Sequence, residues 1–174
     1  FVAMWFDRSQ NGLYEIFEGT LTDCGYEDGF RVDRTHHINK IDDEIISMIR
    51  RSRLVIVDLT CAKEAVFKKS QVDRNANSEL QKDEFEYKEK NIEYQRGGVY
   101  FEAGFALGLG LPVIWTCKHD CLEGVHFDTR QYNMMRWIEI GNEYYFYSDD
   151  HENEGEKLTL REALKNRIKA LNLD

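Results

Sequence analysis

The sequence predicts an α/β fold in which helices cover both faces of a mostly parallel sheet, and two observations carry that prediction. Short β-rich runs alternate with helical patterns along the first half of the chain. One of them, RLVIVDL at 53–59, is apolar almost throughout, as a central parallel strand covered on both faces must be. The expected architecture is a flavodoxin-like or Rossmann-like three-layer sandwich around a central, mostly parallel five-stranded sheet, in a single domain spanning 1–174.

Each element has its own signal. FVAMWF at 1–6 reads as the first strand, and because the numbering opens on an apolar run, the chain is expected to lack residues that precede it. A helix follows around Leu13 to Cys24, then FRVD at 30–33 as the second strand. The next helix, around Ile38 to Arg51, places Ile38, Ile41, Ile45, Ile46 and Ile49 on a packing face and leaves Lys40, Asp43, Glu44 and Arg50 in water. The third strand, RLVIVDL, reaches its polar residue, Asp58, only near its C-terminal end. A helix opens at GGVYFEAG (97–104), and the strand LPVIWTC (111–117) starts at the chain's one proline, Pro112. The last helix runs from about Thr159 to Leu171, with Thr159 and Glu162 spaced as a capping box.

Between these elements, at about 61–96, lies a charged insertion in which acids and bases nearly cancel and apolar residues are sparse. It reads as a solvated excursion with some helix, or as a lid over the site it flanks. The acidic SDDHENEGE (148–156) reads as a solvated loop after the YYFY run.

Composition narrows the function classes. With 42% hydrophobic and 13% aromatic residues, a chain of 174 residues can bury a core. A formal net charge of -9 repels a phosphate backbone, so no long nucleic acid is expected as a partner, whereas one small phosphorylated ligand is compatible with it. No apolar stretch approaches the roughly 18 residues that span a bilayer, and no export signal is visible, so no membrane partner is expected. Cys24, Cys61, Cys117 and Cys121 are too few and too irregular for a disulfide framework, which points to reduced thiols and a cytoplasmic location. CKHDC at 117–121 lacks a second ligand pair at zinc spacing, so neither a metal nor a cofactor is expected.

In doubly wound sheets, ligands bind outside the carboxyl ends of the strands where the strand order reverses. Asp7, Arg8 and Ser9 follow the first strand, Asp58 and Thr60 end the third, and GGVYFEAG opens from the same edge, so Asp7, Asp58 and Glu102 are expected to face one crevice. Glu102 is the most informative of the three. Its helix neighbours at i+3, i+4 and i+7 are Phe105, Ala106 and Leu109, which sets a carboxylate on or beside a buried face. The positive end of the helix dipole favours its ionised form, and an ionised, partly desolvated carboxylate is a nucleophile. Gly97 and Gly98 allow a ligand close to the backbone, and Gly104 and Gly108 are expected to let the helix pack closely on the sheet.

Through VIVDLT, GGVYFEAGFALGLGLPVIW, the opening FVAMWFD and RVDRTHHINKIDDEIISMIRRSRLVIVDLT, the chain resembles the nucleoside 2-deoxyribosyltransferase-like superfamily. Its members carry an aspartate ending the third strand and a YELGYALGLGKPVI-type helix and strand. The resemblance covers most of residues 1 to 117 apart from the insertion, and it implies cleavage or transfer at the N-glycosidic bond of a nucleoside or nucleotide. By that resemblance Glu102 attacks C1′, Asp58 orients sugar or base, and Phe6 and Asp7 line the base pocket. Thr60 and Gly98 adjoin the ligand, His37 lies near the entrance, and Asp128 in HFDTRQYN supplies a further contact alongside His126 and Asn133. The resemblance also implies a homo-oligomer. The insertion, and Arg96 with Gly97 ahead of the glutamate helix, depart from the family pattern. Two alternatives stay open: a NAD-cleaving enzyme similar to TIR domains, and a nucleotide-sensing module that binds without turnover.

Overall fold

The computed structural model describes residues 1–27, 31–34, 41–71, 85–94, 96–148 and 157–172. In chain order the elements are β1 (Val2–Ala3), α1 (Asn11–Asp23), α2 (Ile41–Arg51), β2 (Val55–Asp58), β3 (Ala62–Gln71), β4 (Phe85–Tyr94), α3 (Gly97–Gly108), β5 (Val113–Lys118), β6 (Met135–Ile140), β7 (Glu143–Phe146) and α4 (Leu160–Ala170). The main sheet has the order β1-β2-β5-β6-β7. β1, β2, β5 and β6 are parallel, and β7 returns antiparallel to β6.

Strand alternation divides the apolar residues between two cores. Ala3, Val55, Val57, Trp115 and Cys117 meet Ile45, Met48 and Ile49 of α2 and Val99, Ala103 and Ala106 of α3. Val2, Met4, Ile56, Ile114, Met135 and Trp137 meet Leu13, Phe17 and Leu21 of α1 and Leu160, Leu164 and Ile168 of α4. The result is the expected three-layer α/β sandwich. α4 starts on the expected capping box: Thr159 Oγ1 accepts from the Glu162 amide, and the Glu162 carboxylate accepts from the Thr159 amide at 3.1 Å. Among the described residues no helix is long and apolar enough to cross a membrane.

Three elements differ from expectation. Val32–Arg34 of FRVD is a 3-10 turn rather than a strand. Arg31 closes on Asp33 two residues later through Nε at 2.5 Å and Nη2 at 2.7 Å while Val32 is buried, and a local ion pair outweighs a period-2 signal only four residues long. The sheet reaches five strands through MRWIEI (β6) and EYYF (β7) instead. The charged insertion holds no helix among its described residues: β3 and β4 form a separate antiparallel pair, with Ala62 opposite Tyr94 and Gln71 opposite Phe85. In that register Lys63 stands opposite Glu93 and Lys68 opposite Lys88, so the pair forms despite the low apolar content and without a consistent match of opposite charges.

Candidate active site

The carboxyl end of β1 and the start of α3 meet at one edge of the sheet. Arg96, the N-cap of α3, places its guanidinium carbon 3.9 Å from the centroid of the Trp5 ring, and its charge also helps hold the Asp7 carboxyl low. On the other side of β1, Arg31 lies 5.5 Å from the Phe6 ring centroid and 4.3 Å from that of Tyr14. Two arginines therefore straddle the strand end, one on Trp5 and one on Phe6. Buried nitrogens of both, Arg96 Nε and Arg31 Nη1, have no acceptor.

Glu102 stands in the second turn of α3 and is only 6% exposed. Its Oε2 is buried without a hydrogen-bond partner. Burial raises its carboxyl from the ordinary 4.5 to about 7. The helix dipole does favour the ionised form, but desolvation outweighs it, which corrects the expectation of a fully ionised group at neutral pH. Gly98 lies one turn earlier on the same helix face, and a Cβ built there meets nothing within 4 Å, so the space toward the α3 N-terminus is open.

Asp58 has a different setting. Strand parity sends it toward the α1/α4 core together with Ile56, whereas Glu102 descends from α3 on the opposite face. Its Oδ1 accepts from the Thr60 amide at 3.1 Å; its Oδ2 accepts from Trp137 Nε1 at 2.9 Å and from the Thr116 hydroxyl at 2.8 Å. Burial pushes its carboxyl up, and the donors Thr60, Trp137 and Thr116 pull the other way. Asp58 is thus committed to its three donors on the α1/α4 side of the sheet, while Glu102 stands on the α2/α3 side. Asp7 is also committed locally, accepting from the Ser9 hydroxyl at 2.6 Å and the Ser9 amide at 2.9 Å as the N-cap of a 3-10 turn, bonds that lower its carboxyl.

The other expected site residues are scattered. Thr60 clasps β5, its Oγ1 accepting from the Lys118 amide at 3.0 Å. Phe6 is exposed at the strand end, and Gly98 is exposed on α3. Asp128 is exposed and pairs with His126 Nδ1 at 3.5 Å. The His126 amide donates to the Tyr100 hydroxyl at 3.1 Å, which seats that loop beside Tyr100. Tyr100 and Glu102, two positions apart, project about 160° apart around the helix, so Asp128 and Glu102 lie on different flanks of α3. His37 lies outside the described residues.

Comparison with family models, with curated proteins and with solved structures finds no match. The site therefore has to be read from its own geometry. Sequence reasoning missed Trp5, Arg31, Thr116 and Trp137. The two tryptophans look like ordinary core aromatics in the sequence, and their cationic or anionic partners come from distant segments.

Proposed function

We propose that the chain cleaves or transfers at the N-glycosidic bond of a nucleoside or nucleotide, with Glu102 as the nucleophile. The observation that carries this reading is the unpartnered Oε2 of a buried carboxyl beside an open, glycine-started helix end. Burying a carboxyl with an oxygen left unbonded costs stability, and such groups persist where a ligand completes them. A group titrating at about 7 is present in both forms at neutral pH, which suits proton and bond exchange there.

In the ionised form an oxygen of Glu102 bonds to C1′ as the C1′–N bond breaks, and the base departs with the electron pair and takes a proton from water. Water or a second base then attacks C1′, releasing the carboxylate; two displacements give net retention. The exposed amides of Gly97 and Gly98 and the orphaned Arg96 Nε are donors for ligand oxygens, and Trp5 and Phe6 offer aromatic surface to a base. Asp58 serves as a positioning residue that fixes the end of β2.

A second reading rests on the same titration. A neutral Glu102 donates a hydrogen bond instead of attacking, and a nucleotide-sensing module needs no more than that. Intact-mass analysis during turnover decides between them. A glycosyl adduct that maps to Glu102 and is absent from Glu102→Gln supports the enzyme; binding with neither adduct nor base release supports the sensor. Supplying NAD beside nucleosides and nucleotides distinguishes the NAD-cleaving alternative by the base released.

A further inference from the structure

Arg96 holds Trp5 in a way that a base has to undo before it can stack there. Strand parity sends Trp5, with Phe1 and Ala3, onto the face of the sheet that α3 covers, the face of Glu102, and its contact with the α3 N-cap agrees. The guanidinium carbon of Arg96 stands 3.9 Å from the ring centroid, a distance reached over a face of the indole and not at its edge. That face is covered.

The cover is loosely held. Arg96 Nε is buried without an acceptor, and among the described residues Arg96 enters no ion pair. Asp7, whose carboxyl feels the Arg96 charge, already has donors in the Ser9 amide and hydroxyl. Arg96 also makes no side-chain capping bond to α3, so the helix start does not depend on the guanidinium. Next to it Gly97 and Gly98 are exposed, and Cβ atoms built on them meet nothing within 4 Å. Gly104 and Gly108 are equally open and so do not press the helix onto the sheet, contrary to the sequence expectation.

Magnitudes decide which partner the guanidinium prefers. A cation over a half-exposed ring gains less than a charge-assisted hydrogen bond to an oxyanion, and an oxyanion at this place also meets the unpaired first-turn amides of α3. We infer that Arg96 is a removable cap on Trp5, drawn off by an oxyanion of the phosphate class, so that stacking of a base on Trp5 depends on that anion. The inference rests on the proposed nucleoside or nucleotide ligand and deepens it. A nucleoside alone has to displace the cation from the ring, whereas one accompanied by phosphate, attached or free, finds the face clear. Arg96 thereby selects for the anion without touching the base.

Two measurements on the full chain test this. Inorganic phosphate is titrated against the indole NMR signal of Trp5, assigned with Trp5→Phe, with chloride matching the ionic strength. The signal should shift in the unmodified protein and stay in place in Arg96→Ala. Calorimetry with deoxynucleosides should give a Kd that falls by about twofold to thirtyfold at saturating phosphate, the range that a cation–π contact spans. Arg96→Ala should show the tighter Kd from the outset and no phosphate dependence. Phosphate that competes with a deoxynucleoside monophosphate puts the anion on the nucleotide; phosphate that tightens its binding makes the anion a separate ligand. A Trp5 signal that ignores phosphate, or a deoxynucleoside Kd that is the same with and without it, would overturn the cap. A phosphate-shifted Trp5 signal with no deoxynucleoside binding would contradict the proposed function and support the cap.

Discussion

The Trp137 indole donates to Asp58 Oδ2 at 2.9 Å, tying β6 to β2 across the intervening β5. Thr116 of β5 completes the bridge from between them. All three strands are thus joined through one buried carboxyl at the end of β2, which fixes the edge of the sheet from which α3 opens. Asp58→Asn replaces one acceptor oxygen by a donor NH2, so either the Thr60 amide or the Trp137 and Thr116 donors must face another donor. The expected loss is about 1–3 kcal/mol of unfolding free energy, measurable by urea denaturation with a change in Trp137 fluorescence. An unchanged midpoint would mean that the carboxyl does not hold the strands.

Glu102 couples stability to pH. Its carboxyl titrates at the ordinary 4.5 when unfolded and at about 7 when folded, so the folded state binds the proton more tightly. Both states are protonated below 4.5; between 4.5 and 7 only the unfolded chain gives up the proton, and the fold loses stability as pH rises. The loss by pH 8 is on the order of 3 kcal/mol, since each tenfold difference in proton affinity between the two states is worth about 1.4 kcal/mol. Glu102→Gln removes that penalty, so the variant should match the unmodified protein at pH 4 and exceed it at pH 8. A difference that does not change with pH would contradict the burial account.

The same residue marks where sequence reading stops. Its burial is legible from Phe105 and Ala106 at helical spacing, and β2 from a run with no polar residue until Asp58. The balance between dipole and desolvation is not, because it depends on how many layers cover the carboxyl. The direction of Asp58 is implicit in strand parity, yet its partners are 58 and 79 residues away in sequence, and no local pattern names them. FRVD misleads because Arg31 and Asp33, which look like alternating polar positions of a strand, bond each other in a turn. MRWIEI escapes notice because its two charged positions, Arg136 and Glu139, blend into the polar segments around it.

Arg96 is expected to govern ligand affinity more than turnover. A hydrogen bond to a charged group contributes about 1.5–3 kcal/mol, so Arg96→Ala should weaken binding by roughly tenfold or more. kcat should change much less. Trp5→Ala removes the ring under the guanidinium and should reproduce part of the effect. If Arg96 were only structural, its loss would lower Tm and leave KM unchanged.

The β3–β4 pair is a two-stranded sheet of its own, and neither of its strands joins the main sheet. Replacing Ala62–Gln95 by a short Gly/Ser link should therefore preserve cooperative unfolding while altering turnover or substrate access. Circular dichroism melts check the first part and steady-state kinetics the second. Loss of a cooperative transition would make the hairpin part of the core.

The nucleophilic role of Glu102 is tested most directly by base release. Deoxynucleosides, nucleoside monophosphates and NAD are incubated with the unmodified protein and with Glu102→Gln, products are separated by chromatography, and ligand binding is measured by calorimetry. The variant is nearly isosteric, so binding should persist while base release falls by about 10³-fold or more, the scale on which removal of a covalent nucleophile acts. Near-normal release by Glu102→Gln would contradict the account.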